Sequence, residues 1–277
     1  MTDPVAATAS DGELVEAIEQ HQTELSIRWA EAQDGIVVDR PEFVRTINPE
    51  IKVAFANNVH RIRLEPDRLA AAVRECTAAF REHEVPALWW VSPHATPQEP
   101  GRALEAHGWR YDEAMPWMAA RMDRIEWPDT MPGLRIERVT DEQVHARFVR
   151  AMTAGFGMRP PEQHAMNSLA DRVGYAPDAP WVRWVGSLDG RVVASSGLML
   201  AGGVAGIYNV ATAPEARRRG IGAALTAVAV AEGRGRGYEV AVLGASELGY
   251  GVYARMGFRE VCRDRVWMLP ERSKGTT

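Results

Sequence analysis

Apolar Leu14, Ile18, Leu25 and Trp29 recur at roughly helical intervals. Ahead of them Ser10-Asp11-Gly12-Glu13 has the S-x-x-E spacing of a capping box, so a first helix is predicted here. Leu69, Val73, Cys76 and Phe80 repeat every three or four residues after Pro66-Asp67, which predicts a second amphipathic helix. It leads into Ala87-Leu88-Trp89-Trp90-Val91, an apolar run of strand length, and then into an exposed loop over 92–101, with Pro93, Pro97, Pro100 and Gly101. Two prolines and a glycine interrupt both periodicities across 127–133, and the linker is expected there.

Beyond it the pattern predicts a strand over 134–139 and a helix over 141–154, then a less regular stretch from 159 to 178. Apolar strands over 181–187 and 192–200 flank Leu188-Asp189-Gly190, whose Asp-Gly pair signals a hairpin. A strand over 205–212, a helix over 214–233, a strand over 239–243, a helix over 248–256 and a last pair of strands around Arg259 and Trp267 complete the chain. Strands before a central helix, then strand-helix-strand, indicate a mixed α/β layer rather than a barrel or bundle. Leu104-Glu105-Ala106-His107-Gly108-Trp109, followed by Trp117-Met118, weakly echoes Tyr253-Ala254-Arg255-Met256-Gly257-Phe258, followed by Trp267-Met268. The echo suggests that two halves share one fold.

At 277 residues the chain exceeds one usual domain, which favours two of about 130 to 140 residues, divided as 1–130 and 131–277. Its 46% hydrophobic and 25% charged residues exclude disordered and fibrous classes. A net charge of -5 provides no global positive field for nucleic acid or anionic membrane, so any anion site must be local. The start, MTDPVAATASDGELVEAIEQ, has neither a basic nor an apolar leader region, and no eighteen apolar residues run together; the expected compartment is the cytoplasm. Cys76 and Cys262 are too isolated in sequence for a disulfide framework or cysteine zinc site and are expected as buried, reduced thiols. The seven histidines show no HxH or HExxH pairing, so no metal is expected.

The most informative segment is Val210-Ala211-Thr212-Ala213-Pro214-Glu215-Ala216-Arg217-Arg218-Arg219-Gly220-Ile221-Gly222-Ala223-Ala224-Leu225, a strand turning through a glycine-rich basic loop into a helix. Glycines 220 and 222 let the backbone approach a ligand, and the amides and positive dipole end of the helix face a phosphate. The same pattern also suits an ordinary turn with solvated arginines. It is neither GxGxxG nor GxxxxGK[ST], which weakens dinucleotide and P-loop readings.

The R-x-x-G-x-G of residues 217–222 resembles the pyrophosphate loop of the GNAT acetyltransferases. Ser246-Glu247-Leu248-Gly249-Tyr250-Gly251-Val252-Tyr253-Ala254-Arg255-Met256-Gly257-Phe258 resembles that family's second signature, in the right order and spacing. The resemblance implies a mostly antiparallel, twisted mixed sheet flanked by helices, an α/β (α+β) fold in two tandem domains. It further implies an acetyl-CoA-dependent N-acetyltransferase moving an acetyl group directly to a primary amine. Backbone groups of Val210, Ala211 and Thr212 would hold the pantetheine arm. Arg217, Arg218, Arg219, Gly220, Ile221, Gly222 and Ala223 would hold the pyrophosphate. Tyr253 would protonate the departing thiolate, a competent role for a phenol of ordinary pKa about 10. Ser246 stands where the family often has Asn, which puts its cofactor contact in doubt.

No base is evident: the strand over 205–212 offers Tyr208 and Asn209, with Glu247 and His164 as weaker candidates. Phe156, Met158, Trp181 and Trp184 suggest apolar walls for a small-molecule or protein amine, and neither acceptor identity nor oligomeric state is specified. The N-terminal half has no R-x-x-G-x-G before its second helix and is expected to be a degenerate domain of the same kind. The alternatives are transfer of a longer acyl group or to another nucleophile, and a non-catalytic acyl-CoA-binding module.

Overall fold

A computed structural model describes residues 3–129 and 131–271; Thr130, within the expected linker, lies outside them. In chain order the elements are α1 (Asp11–Ala32), β1 (Ile36–Asp39), β2 (Val44–Ile47), β3 (Asn58–His60), α2 (Leu69–Glu82), β4 (Ala87–Val91), α3 (Gly101–Glu105) and β5 (Arg110–Arg121). There follow β6 (Leu134–Arg138), α4 (Glu142–Phe156), α5 (Pro160–Val173), β7 (Trp181–Leu188), β8 (Arg191–Ala201), β9 (Val204–Thr212), α6 (Ile221–Gly235), β10 (Val240–Gly244), α7 (Glu247–Arg255) and β11 (Arg259–Leu269).

The chain divides into two compact units, and α1, β5 and β11 each pass from one to the other. The first unit holds Pro116–Val261 together with the segment ending at His21. In it β6, β7, β8 and β9 form an antiparallel meander, β9 runs parallel to β10, and β10 pairs antiparallel with 117–121 of β5. The second unit holds Gln22–Met115 together with the described residues that follow Val261. Here β1, β2 and β3 are antiparallel, β3 is parallel to β4, and β4 pairs antiparallel with 265–269 of β11.

Each unit therefore repeats one plan: antiparallel strands, a helix, a parallel strand, a short helix and a closing antiparallel strand. The closing strand comes from the other half of the sequence. This accounts for the sequence echo. Gly108 and Gly257 both end a helix at positive φ, +88° and +96°, which a side chain would strain. Trp109 and Phe258, next in sequence, donate their amides back to the carbonyls of Leu104 and Tyr253 and bury their rings.

The expected linker over 127–133 falls inside the first unit. Glu126 N–H donates to the Met256 carbonyl and Asp189 N–H to that of Gly133, so hydrogen bonds strap the ends of this segment to its unit. The N-terminal half also carries β1, β2 and β3, strands of three or four residues that are too short to display an alternation. The irregular stretch contains α5, opened by Pro160. Arg259 and Trp267 lie on one strand, not two. Cys76 is buried as expected, whereas Cys262 is half-buried.

Ile207, Leu225, Val230, Leu243 and Phe258 belong to the first unit's core, in which α6 packs on the sheet. Each such side chain contributes about 1.5–3 kcal/mol by leaving water. The second core centres on Trp89 and Trp109, in edge-to-face contact at 5.7 Å. Trp109 Nε1 donates to Thr77 Oγ1 at 2.8 Å, so its one polar atom is satisfied.

Candidate active site

The site begins where two parallel strands part. Between β9 and β10 the rungs are Ala205 with Ala241 and Gly206 with Val242. Past them β10 continues on β5, Leu243 opposite Met118 and Gly244 opposite Trp117, while β9 continues on β8. Within that stretch β9 bulges: Tyr208 pairs with Gly197 and Ala211 with Ser195, leaving Asn209 and Val210 opposite Ser196 alone. Asn209 sits at φ +55°, and Ser195 Oγ donates to its carbonyl at 2.8 Å. The bulge takes the Val210 backbone out of the β8 ladder at the mouth of the opening.

Beyond Thr212 a short 3-10 turn, Pro214–Ala216, leads to the exposed residues Arg217, Arg218, Arg219 and Gly220. α6 thus starts seven residues later than the pattern from Pro214 predicts, because the intervening loop adopts two left-handed positions, Arg218 at φ +59° and Gly220 at φ +83°. The first rung of α6 joins Ala224 N–H to the Gly220 carbonyl. The amides of Ile221, Gly222 and Ala223 thus open a 15-residue helix at its positive end. A Cβ on Gly222 would stand 3.7 Å from Thr212 Oγ1 and 3.9 Å from Val210 Cγ1. The loop therefore lies against the end of β9 with only a glycine between, which fits a ligand running from the bulge to a pyrophosphate.

The expected residues divide by how they can act. Arg217 folds back, Nε on the Thr212 carbonyl at 3.1 Å and Nη2 on the Gly155 carbonyl at 2.9 Å, tying the loop to β9 and to the end of α4. Arg218 and Arg219 remain exposed cations. Ile221 and Ala211 bury their side chains, Ala211 against Gly155, so only their backbones can reach a ligand. Val210, Thr212, Gly222 and Ala223 are half-buried along the same edge.

Ser246 caps α7, its hydroxyl accepting from Gly249 N–H at 3.2 Å. A serine at this position starts the helix. Tyr253 is 8% exposed, packs edge-on against Phe258 at 6.0 Å, and its hydroxyl has no hydrogen-bond partner among the described residues. Burial pushes the phenol up to about 12. Gly249, missed in the sequence, makes room for this ring: a Cβ there would lie 2.7 Å from Tyr253 Cε2.

Trp181 and Trp184, expected as acceptor walls, are core residues, 4% and 5% exposed; Trp181 stacks under the Arg183 guanidinium at 4.1 Å, and Trp184 joins the sheet core. Phe156 is exposed and Met158 half-buried. Glu247 and His164 are exposed on α7 and α5. The structure instead joins Tyr208 to His21, another residue that the sequence concealed. His21 Nε2 lies 3.0 Å from Tyr208 Oη and Nδ1 3.0 Å from the Ala201 carbonyl, with the two rings stacked at 5.7 Å. These partners are 187 residues apart, and no local pattern links them. Among the described residues no three His, Cys, Asp or Glu side chains gather as a metal site, and no helix is long and apolar enough to cross a membrane.

The sequence profile of the Acetyltransferase (GNAT) family matches residues 142–258, which run from the start of α4 to the residue before β11. Residues 142–258 form a GNAT acetyltransferase domain. The fold of the whole chain is similar to that of a GCN5-related N-acetyltransferase from Kribbella flavida, at TM-score 0.73 and 19% identity over 92% of this chain and 95% of that one. It is also similar to a GCN5-related N-acetyltransferase from Sphaerobacter thermophilus, at TM-score 0.61 and 18% identity over 100% of both chains. A tandem GNAT protein from the clavulanic acid biosynthesis pathway aligns at TM-score 0.57 and 14% identity over 98% of both. No curated protein matches the sequence. The GNAT plan accordingly runs through both units.

Proposed function

We propose that the first unit transfers an acetyl group from acetyl-CoA to a primary amine. The observation that carries this reading is the continuous backbone path from the β9 bulge at Asn209 and Val210 to the glycine-opened start of α6. Backbone groups of Val210, Ala211 and Thr212 would hold the pantetheine arm. The amides of Ile221, Gly222 and Ala223, with Arg218 and Arg219 nearby, would hold the pyrophosphate at the positive helix end. Bound acetyl-CoA supplies an activated thioester. Tyr253 donates the proton that the leaving sulfur needs, and burial keeps it in the donor form at neutral pH. Ser246 serves this site by starting α7, and Gly249 by admitting the ring. Acceptors are small-molecule or protein amines.

The test is CoA thiol release by the full-length protein with acetyl-CoA and a panel of primary amines, read together with calorimetric acetyl-CoA binding. Amine-dependent thiol release is the expected result. Tight acetyl-CoA binding with no release on any amine would instead make the chain an acyl-CoA-binding module.

A further inference from the structure

β9 and β10 carry no Asp or Glu, so the parted strands offer no carboxylate to take a proton from the acceptor ammonium. Tyr208 is half-buried where these strands part. It lies two residues past the last parallel rung and immediately before the bulge. It alternates with Ile207, whose side chain enters the core, and so points to the opposite face. Resting on the transfer reading above, we propose that Tyr208 and His21 form the proton-accepting pair of this site, with Tyr208 touching the acceptor amine and His21 acting through it as a positioning residue.

The hydrogen bonds fix the direction of the pair. A carbonyl only accepts, so His21 Nδ1 donates to Ala201; in the neutral ring Nε2 then accepts, and Tyr208 Oη donates to it. The chain gives up two side chains to keep this contact. A Cβ on Gly206 would come 2.2 Å from His21 Nε2 and 2.7 Å from Tyr208 Cε2, and one on Gly202 would come 2.5 Å from His21 N. Burial raises the phenol pKa above its ordinary value. Tyr208 therefore relays a proton rather than resting as phenolate.

An N–H bond of the ammonium breaks with its electron pair left on nitrogen. Tyr208 oxygen takes that proton as its own passes to His21 Nε2. The neutral amine forms the new C–N bond as the C–S bond breaks, Tyr253 protonates sulfur, and the second amine proton restores Tyr253. The His21 imidazolium then returns one proton to solvent through Tyr208, which matches the single net proton of the reaction.

Tyr208→Phe and His21→Gln are compared with the unsubstituted full-length chain on the best amine of the panel, with melting curves as a check of folding. Turnover at pH 7 is expected to fall at least about tenfold with acetyl-CoA affinity unchanged. That deficit should shrink as pH approaches the amine's own pKa, about 10.4 for a lysine-like acceptor, where free amine needs no base. A deficit equal at every pH, or none, overturns the pair while leaving the transfer reading intact. Tyr208→Phe keeps the ring and decides the matter where His21→Gln does not fold. Failure of the unsubstituted protein to acetylate any amine overturns the transfer reading, and the pair with it.

Discussion

Tyr253 shows how a residue's surroundings set its chemistry. Its ring is held between Phe258 and the bare face of Gly249, while its hydroxyl makes no bond that would compete with a ligand. Replacing it with Phe removes one oxygen and keeps the packing, so turnover should fall at least about tenfold while calorimetric acetyl-CoA affinity stays within about twofold. Equal turnover would remove Tyr253 from the mechanism. Gly249→Ala should produce a related loss by a different route, since its methyl cannot coexist with Cε2 at 2.7 Å and the ring must shift. Double substitution separates the two ideas: in a Tyr253→Phe background, adding Gly249→Ala should lower turnover little further. Tyr253 could be singled out in the sequence because its motif is local. Gly249 lay within the same motif, but its role depends on a ring four positions along the helix.

At the scale of elements, the turn from β9 into α6 combines left-handed backbone positions with the positive end of a helix. Gly220 at φ +83° tolerates no side chain without strain of about 1 kcal/mol, and Glu would add negative charge beside the opening amides. Gly220→Glu should therefore weaken acetyl-CoA binding at least about tenfold while the chain still melts cooperatively; undiminished affinity in calorimetry would show that the loop is only a turn. Arg217→Met should act more mildly, releasing the loop from the Thr212 and Gly155 carbonyls and lowering both affinity and melting temperature. A melting temperature equal to the unsubstituted chain's would mean that these exposed bonds do not brace the loop. The strand, loop and helix here were readable from residues 210 to 225, as was the β7–β8 hairpin, where Asp189 and Gly190 adopt the positive φ their pairing suggests. The late start of α6 was not, because Pro214 suits a 3-10 turn as well as an α-helix.

The plan of the whole molecule was half visible, since the echo around Gly108 and Gly257 reports equal helix ends but not which unit each following strand completes. Cutting at 130/131 would strip β10 of its β5 partner and β4 of its β11 partner, so binding must be tested on the full chain. There, one acetyl-CoA per chain is expected, for reasons internal to the second unit. Its parallel pair, β3 and β4, has rungs at Asn58 with Leu88 and Val59 with Trp89, matching those of β9 and β10. Immediately beyond, the His60 and Trp90 rings stack on each other at 5.7 Å. The backbones then rejoin, Leu64 N–H on the Thr96 carbonyl at 2.8 Å and Thr96 N–H on the Ile62 carbonyl at 3.0 Å, so these two donors are already spent within the unit. The turn into α2 has Glu65 and Asp67 but no glycine, and two carboxylates oppose a pyrophosphate at that helix end. Calorimetric titration should give a stoichiometry near one, with that single site at least about tenfold weaker in Gly220→Glu. Two equivalent sites on the unsubstituted chain would place a second acetyl-CoA in the second unit and refute the asymmetry.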